Sequence, residues 1–316
     1  MDKKLIQKIR KSFSGKVLPG EPLARHTTYH VGGKADLLVI PRDADEAARL
    51  YSFVRGEGVP LTVIGAGSNV IAPDEGIRGV VVRTATGSAR ILYLGGGRIR
   101  ADAGVPLLDL VRAASARGLS GLEPLAGIPG TVGGAVVMNA GTRDTETAEV
   151  LSRVEVLTST GRRRVFAGGE CSFGYRRSIF LGTDWLVLRA EFKLGRGDAG
   201  TIAKMVDSFL KDRESKYPLD LPSAGSVFRR PSGDYAGRLI EEAGCKGMRV
   251  GDAEVSGIHA NFIVNCGHAK ARDILALVSA IRSRVFEKSG VYLELEQIPL
   301  PVGSSAMVKP SLGTVM

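Results

Sequence analysis

Apolar positions along this chain recur with two different periods, and the changes of period mark off its elements. Residues 35–40 and 61–64 are short apolar runs with the character of buried strands, and 79–83 is a third of the same kind. Between the first two, Ala47, Leu50, Tyr51 and Val54 share one face of a helix over 44–55. Asp43 stands where an N-cap belongs, and Gly56 and Gly58 stop the helix. Residues 27–31, Thr-Thr-Tyr-His-Val, read as another strand, joined to 35–40 through the Gly32-Gly33 turn. Residues 2–13 read as a short basic helix, a mobile lead-in.

The pattern then repeats with variation. Residues 91–94 and 98–101 flank Gly95-Gly96-Gly97, a hairpin signal. Pro106 opens a helix with Leu107, Leu110, Val111 and Ala114 on one side, and Gly118 ends it. Strands follow over 152–158, 163–166 and 185–194, with a turn at Gly161. The glycine-rich run 195–200 is the best candidate linker. Beyond it, Ile202, Met205, Val206, Phe209 and Leu210 form a stripe on a helix over 201–215. Residues 234–243 read as a short helix and 261–265 as a strand. Ile274, Leu277, Val278, Ile281 and Val285 mark the cleanest amphipathic helix, over 271–287, and 291–298 reads as a last strand. Strand, helix and strand with a long connection imply a βαβ-type C-terminal domain. Residues 301–316 lack periodicity and read as a loose tail.

Composition narrows the function without naming it. The 316 residues suffice for two or three domains, and 44% hydrophobic with 24% charged residues is ordinary for a globular protein. The formal net charge of +10 admits nucleic acid, anionic membrane or phosphorylated small molecules as partners. The basic residues are spread along the chain, with Arg162-Arg163-Arg164 the tightest run, which disfavours a nucleic-acid face. Cys171, Cys245 and Cys266 lie far apart without zinc or redox spacing, and fit a reducing cytoplasm. The start has no signal-peptide pattern, and no run approaches the roughly 18 apolar residues of a membrane span. His26 and His30 are four apart on a strand-like stretch with no following Glu, so no metal site is expected.

The candidate chemistry centres on glycine. Gly127, Pro129, Gly130, Thr131, Gly133, Gly134 and Ala135 fall within one nine-residue stretch, with Asn139 and Gly141 just beyond. Such a stretch reads as neither an ordinary helix nor a central strand. It offers backbone N–H groups to a ligand with no side chain in the way. A second such turn, Gly65-Ala66-Gly67-Ser68-Asn69, comes directly after the run 61–64. Two small-residue turns, each beside a strand, suit the two ends of one dinucleotide; the plainer alternative is a pair of turns without a ligand. Three polar stretches accompany them. Arg176 is either a surface arginine or a cation facing an anionic substrate or developing enolate. Ser226 comes after small residues that leave its hydroxyl accessible, or is a turn serine. Glu294 and Glu296 share a face of the last strand, either solvated or chemical.

Taken in order, residues 28–35, 64–69, 127–135, 139–141, 174–178, 224–228, 234–244 and 259–265 resemble the UDP-N-acetylenolpyruvoylglucosamine reductase family, and the resemblance runs from Arg25 to Glu296. It implies an α+β fold. After a lead-in over 1–19, a two-lobed FAD-binding domain of the vanillyl-alcohol-oxidase/PCMH flavoprotein type would cover 20–195, with lobes 20–85 and 86–195. A C-terminal α+β substrate-binding domain would cover 196–300. The spacing between Tyr175 and Ser226 looks like the family's shorter branch, without an extra tyrosine-bearing loop.

By the same resemblance, FAD is held non-covalently by Thr28, by Gly65, Ala66, Gly67, Ser68 and Asn69, and by Gly127, Pro129, Gly130, Thr131, Gly133, Gly134, Ala135 and Asn139. Arg176, Ser226 and Glu296 take the catalytic positions, with Glu294 the alternative carboxylate. Tyr175, Arg213, Lys216, Arg238 and His259 meet the substrate, Arg213 and Lys216 at the UDP phosphates. The chain departs from the family at Arg230-Pro231, where Asn often precedes Pro, and after Glu294, where Leu replaces the usual Pro and Gln297 the usual Val. The implied activity is reduction of the enolpyruvyl group of UDP-N-acetylglucosamine enolpyruvate, for peptidoglycan synthesis. NADPH would reduce FAD, and hydride would pass on to the vinyl methylene carbon. Arg176 and Glu296 would stabilise the resulting enolate while Ser226 protonates the neighbouring carbon. Two other readings stand beside it: a sugar or alcohol oxidase of the same fold, and a basic nucleic-acid-binding protein. Oxidases of this kind often tether flavin through His or Cys, and neither glycine turn contains one.

Overall fold

The computed structural model describes residues 1–85, 89–143 and 145–301. The tail expected over 301–316 lies outside them apart from residue 301, and so does the start of the second lobe expected at 86.

The first lobe comprises α1 (Lys3–Ser12), β1 (Lys16–Pro19), β2 (Ala35–Ile40), α2 (Ala44–Gly56), β3 (Leu61–Ile64), β4 (Val70–Ile71) and β5 (Ile77–Arg83). Its sheet runs β1-β2-β5-β3, parallel except for the edge strand β1. Asp43 caps α2 by accepting from the Glu46 N–H, as the sequence implies. Two expectations change. Helix α1 is docked, because Leu5 and Ile9 bury their stripe against Leu37, Val39, Leu50, Val54, Val80 and Val82. Residues 27–31 are a turn. The Thr27 hydroxyl donates to Val31 O and accepts from the Val31 N–H, and His30 turns left-handed. A local side-chain bond outcompetes the β-propensity of Thr, Tyr and Val.

The second lobe carries β6 (Ile91–Gly95), β7 (Arg98–Asp102), α3 (Leu107–Ser115), β8 (Leu119–Ser120), α4 (Val132–Met138), α5 (Thr147–Val150), β9 (Leu151–Leu157), β10 (Arg163–Ala167) and β11 (Leu186–Lys193). Its antiparallel sheet runs β10-β9-β11-β7-β6. The lobes meet through α2, whose Ala47, Ala48 and Tyr51 pack on Leu157, Leu186 and Leu188. The Tyr51 hydroxyl donates to Asp184 O across this seam, and burial pushes its pKa up to about 12.

The expected linker is ordered: β12 (Gly195–Arg196) pairs with β8. Helix α6 (Ala199–Lys216) comes next, capped by Asp198, and buries Val206 in the second lobe's core. The third domain's own core is built C-terminal to α6, from α7 (Ala236–Glu242), β13 (Arg249–Val250), β14 (Ala253–Val255), β15 (Ile263–Asn265) and α8 (Ala271–Ser289). Tyr29, Val31 and Ile71 of the first lobe complete that core, so the domain is seated on the first lobe.

The expected βαβ arrangement does not form. The sheet is antiparallel, ordered β13-β14-β15. The segment after α8 leaves it, bridges Phe228 through Leu295, and ends as β16 (Ile298–Pro299) parallel to β4. Its backbone groups pair with the Ser226 segment and the first glycine turn. The Glu296 N–H donates to Val227 O (2.8 Å) and the Ile298 N–H to Asn69 O (3.0 Å).

Candidate active site

The two glycine turns abut. Ser68 Oγ donates to Pro129 O at 3.0 Å. A Cβ on Gly65 would lie 2.6 Å from Thr131 Oγ1, and one on Gly130 would lie 2.9 Å from Ser68 Oγ. Gly67 has φ +73°, and a Cβ there would come within 2.1 Å of His26 O, so only glycine fits. Thr28 fixes this turn from behind, its N–H and hydroxyl both donating to Gly67 O (3.1 and 3.3 Å). None of the backbone N–H groups of Gly65, Ala66, Gly67, Ser68, Asn69, Gly130 and Thr131 donates a hydrogen bond among the described residues. Backbone N–H groups of two adjacent turns, without acceptors among the described residues, fit a diphosphate.

The second stretch is not wholly a loop. Thr131 caps α4, accepting from the Gly134 N–H at 3.3 Å, so Gly133 and Gly134 open a helix. Glycine in a first turn escapes much of the cost it carries mid-helix, and at Gly133 packing demands it. A Cβ there would sit 2.8 Å from Ala103 Cβ, and the Gly133 N–H already donates to Ala103 O (2.8 Å). The Ala135 N–H is likewise engaged by Thr131 O. The N–H groups of Gly133, Gly134 and Ala135 therefore serve the fold, leaving those of Gly130 and Thr131 for a ligand. Gly127 lies against the Arg213 side chain, its missing Cβ 3.3 Å from Arg213 Cδ.

Arg176, Glu296 and the Ser226 segment come together. Arg176 Nε donates to Glu296 Oε1 at 2.7 Å and Nη2 to Gly141 O at 3.1 Å; the two side chains are 19% and 12% exposed. Arg176 Nη1 has no partner among the described residues. Asn69 Nδ2 donates to Glu296 O (3.3 Å), tying this carboxylate's backbone to the first glycine turn. Glu294, 68% exposed, instead faces Arg229, so the two carboxylates diverge where strand alternation would have aligned them. Ser226 comes directly after Gly225, which has φ +73°, and its hydroxyl has no partner among the described residues.

The substrate-side candidates separate. The Tyr175 ring underlies the Arg176 guanidinium at 5.2 Å, and its Oη accepts from the Arg230 N–H at 3.1 Å. Arg213 lies over the Tyr217 ring at 5.2 Å with no carboxylate partner among the described residues, and burial lowers its pKa. His259 stacks on Tyr217 (5.2 Å) and meets Phe262 edge-on (4.9 Å). Burial lowers its pKa, and Nδ1 accepts from the Asn261 N–H at 3.2 Å, which leaves the proton on Nε2. Lys216 and Arg238 are placed differently. Lys216 is exposed and paired with Asp212 at 2.6 Å, which raises its pKa. Arg238 is exposed and held by Asp234 and Glu242, and holds the Asp234 carboxyl at about 2.

Sequence reasoning missed Gln297 and Tyr29. Buried Gln297 accepts from the Tyr29 hydroxyl (3.0 Å) and donates to Ala224 O and Gly225 O (both 3.2 Å). It thereby fixes the backbone just before Ser226 to the backbone just after Glu296. The one signal was the departure from the family's usual Val.

Residues 35–167 match the family described as FAD binding domain, and residues 217–298 match UDP-N-acetylenolpyruvoylglucosamine reductase, C-terminal domain. The two-lobed half is thus that of an FAD-binding flavoprotein. A UDP-N-acetylenolpyruvoylglucosamine reductase of Moorella thermoacetica is 46% identical over 280 residues, 89% of this chain and 92% of its own. That of Caldanaerobacter subterraneus subsp. tengcongensis is 42% identical over 290 residues, 92% of this chain and 95% of its own. The crystal structure of UDP-N-acetylenolpyruvylglucosamine reductase from Thermus caldophilus matches with a TM-score of 0.75 at 39% identity, covering 91% of this chain and 99% of that one. The chain belongs to the UDP-N-acetylenolpyruvoylglucosamine reductase family. Among the described residues no helix is long and apolar enough to cross a membrane.

Proposed function

We propose that this chain reduces the enolpyruvyl group of UDP-N-acetylglucosamine enolpyruvate with NADPH, giving UDP-N-acetylmuramate for peptidoglycan synthesis. The observation that carries the reading is one of placement. Backbone N–H groups without an acceptor among the described residues lie in a turn whose Asn69 bonds the Glu296 backbone, and Glu296 holds Arg176 through its carboxylate and donates its N–H to Val227, the neighbour of Ser226. FAD, bound without a covalent tether, supplies the two-electron relay between NADPH and the substrate.

The chain's own residues do the rest. The N–H groups of the two glycine turns hold the cofactor's diphosphate. Glu296 orients Arg176, whose Nη1, without a partner among the described residues, meets the negative charge that grows on the substrate carboxylate. Because both side chains are largely enclosed, that interaction is stronger than it would be in water. The Ser226 hydroxyl delivers a proton to the carbon beside the carboxylate, and Gln297 sets its position. The cysteines are free, which supports a cytoplasmic setting.

The test is spectroscopic. Purified protein should be yellow and release its chromophore on denaturation. NADPH should bleach it under anaerobic conditions, and the enolpyruvyl UDP-sugar should restore the colour. Recolouring by oxygen with a simple sugar or alcohol, and none by the enolpyruvyl compound, would make it an oxidase instead.

A further inference from the structure

Asn139 was expected among the cofactor contacts, and its surroundings give it a different task. It ends α4 in a left-handed conformation (φ 44°, ψ 55°) and is fully buried. Its amide is engaged inside the protein. Nδ2 donates to Glu146 Oε2 (2.7 Å) and to Gly174 O (3.0 Å), and Oδ1 accepts from the Ala148 N–H (2.9 Å). Both amide donors are thereby used, and none remains for a flavin.

Two of the paths leading from this amide reach Arg176. The first runs through Gly174. Gly174 and Arg177 exchange backbone hydrogen bonds (3.1 and 3.0 Å), closing a tight loop whose tip is Tyr175 and Arg176. Arg176 there has φ +50°, a region that a non-glycine residue holds only where its surroundings impose it. The second runs through Gly141, two residues after Asn139, whose carbonyl accepts from Arg176 Nη2 at 3.1 Å. Gly141 is itself locked. It bridges Glu146, and a Cβ on it would lie 2.7 Å from Thr145 O and 2.8 Å from Glu146 Cγ. The backbone that carries the guanidinium and the carbonyl that aims it are both fastened to one buried side chain and its partner Glu146.

We infer that Asn139, with Glu146, is a positioning residue for Arg176 and not a cofactor ligand. The inference rests on the reading of Arg176 as the cation that faces the developing enolate. A residue acting only through Arg176 matters in the half-reaction where that charge forms. It has no part in flavin retention or in hydride delivery from NADPH.

Stopped-flow absorbance of the flavin in the holoenzyme separates the two half-reactions. Asn139→Asp keeps the size, the tolerance for left-handed backbone and the acceptor for Ala148, and removes the donor facing Glu146 and Gly174. Bleaching by NADPH should stay within about twofold of the parent, while reoxidation by the enolpyruvyl substrate slows about 10- to 100-fold, the scale of a misplaced catalytic group. Adding Asn139→Asp to Arg176→Ala should slow reoxidation no further than Arg176→Ala alone. Additive losses would overturn the inference, as would lost flavin or slowed bleaching in Asn139→Asp. If that variant does not fold, Glu146→Ala carries the same test, with a smaller loss expected in the same half-reaction only. Should Arg176→Ala itself recolour at the parental rate, the role of Arg176 falls, and that outcome is distinct from a failure of Asn139.

Discussion

Arg189 and Arg176 are both enclosed arginines of the second lobe, and they are bonded in opposite ways. Every nitrogen of the Arg189 guanidinium has its own carboxylate: Nε donates to Asp102 (3.1 Å), Nη1 to Glu155 (3.0 Å) and Nη2 to Asp45 (2.6 Å). Arg163 shares Asp45 and Glu155 at 2.8 and 2.7 Å. Asp45 lies on α2, so this cluster fastens one lobe to the other. Arg163 most of all, and Arg189 with it, hold the Asp45 carboxyl below the usual carboxylate range. Arg176 has one carboxylate and one carbonyl, and its Nη1 has no partner among the described residues. A saturated cation holds a fold together, whereas an enclosed cation with an open donor holds something that arrives later.

The strongest way to break this contrast is at Ser226. If its hydroxyl only gives a proton to the substrate, Ser226→Ala should bleach with NADPH at nearly the parental rate. Reoxidation by the enolpyruvyl substrate should slow by roughly 10²- to 10⁴-fold, the usual cost of losing a general acid. Ser226→Cys should retain more activity than the alanine variant. Equal small losses for both, without separation of the half-reactions, would make Ser226 a turn residue.

The saturated cluster should respond in the opposite sense. Arg189→Met leaves Asp102, Glu155 and Asp45 at the lobe seam with only Arg90 and Arg163 as cations among the described residues. Breaking a fully buried pair costs about 3–5 kcal/mol, and the partial exposure of Asp45 reduces this to about 2 kcal/mol. Denaturant unfolding at fixed FAD reads that loss, while turnover per bound flavin stays unchanged. A fall in turnover with unchanged stability would place Arg189 in the chemistry.

How much of this was legible in sequence depended on distance along the chain. Helices α2, α3 and α8 were readable because their stripes and stop signals are local. The turn at Thr27, the departure of 291–298 from the third domain's sheet and the docking of α1 were not, because tertiary partners or local side-chain bonds decide them. The catalytic candidates came from family resemblance, and periodicity alone set Glu294 and Glu296 on one face. Only their partners separate them. Asn139 and Gln297 show the limit most plainly. Their bonds span 35 residues to Gly174, 73 to Ala224 and 268 to Tyr29, and no local pattern announces them.

The smallest effect sharpens the contrast within a single helix. Arg213 and Lys216, three positions apart on α6, were both expected at the UDP phosphates. Only Arg213 resembles Arg176 in its bonding: it lies against Gly127 and over Tyr217, without a carboxylate among the described residues. Lys216 resembles Arg189 in having its charge already matched, by Asp212. An open guanidinium lost from a phosphate contact removes a charge-assisted bond, so Arg213→Ala should raise KM for the UDP-sugar about tenfold with kcat little changed. Lys216→Ala should change KM less than about twofold, since an exposed pair of this kind contributes little. Arg213→Lys should recover part of the affinity, because the charge returns without the planar fork. A tenfold rise for Lys216→Ala with none for Arg213→Ala would reverse the assignment, and would mean that Asp212 releases Lys216 when substrate binds.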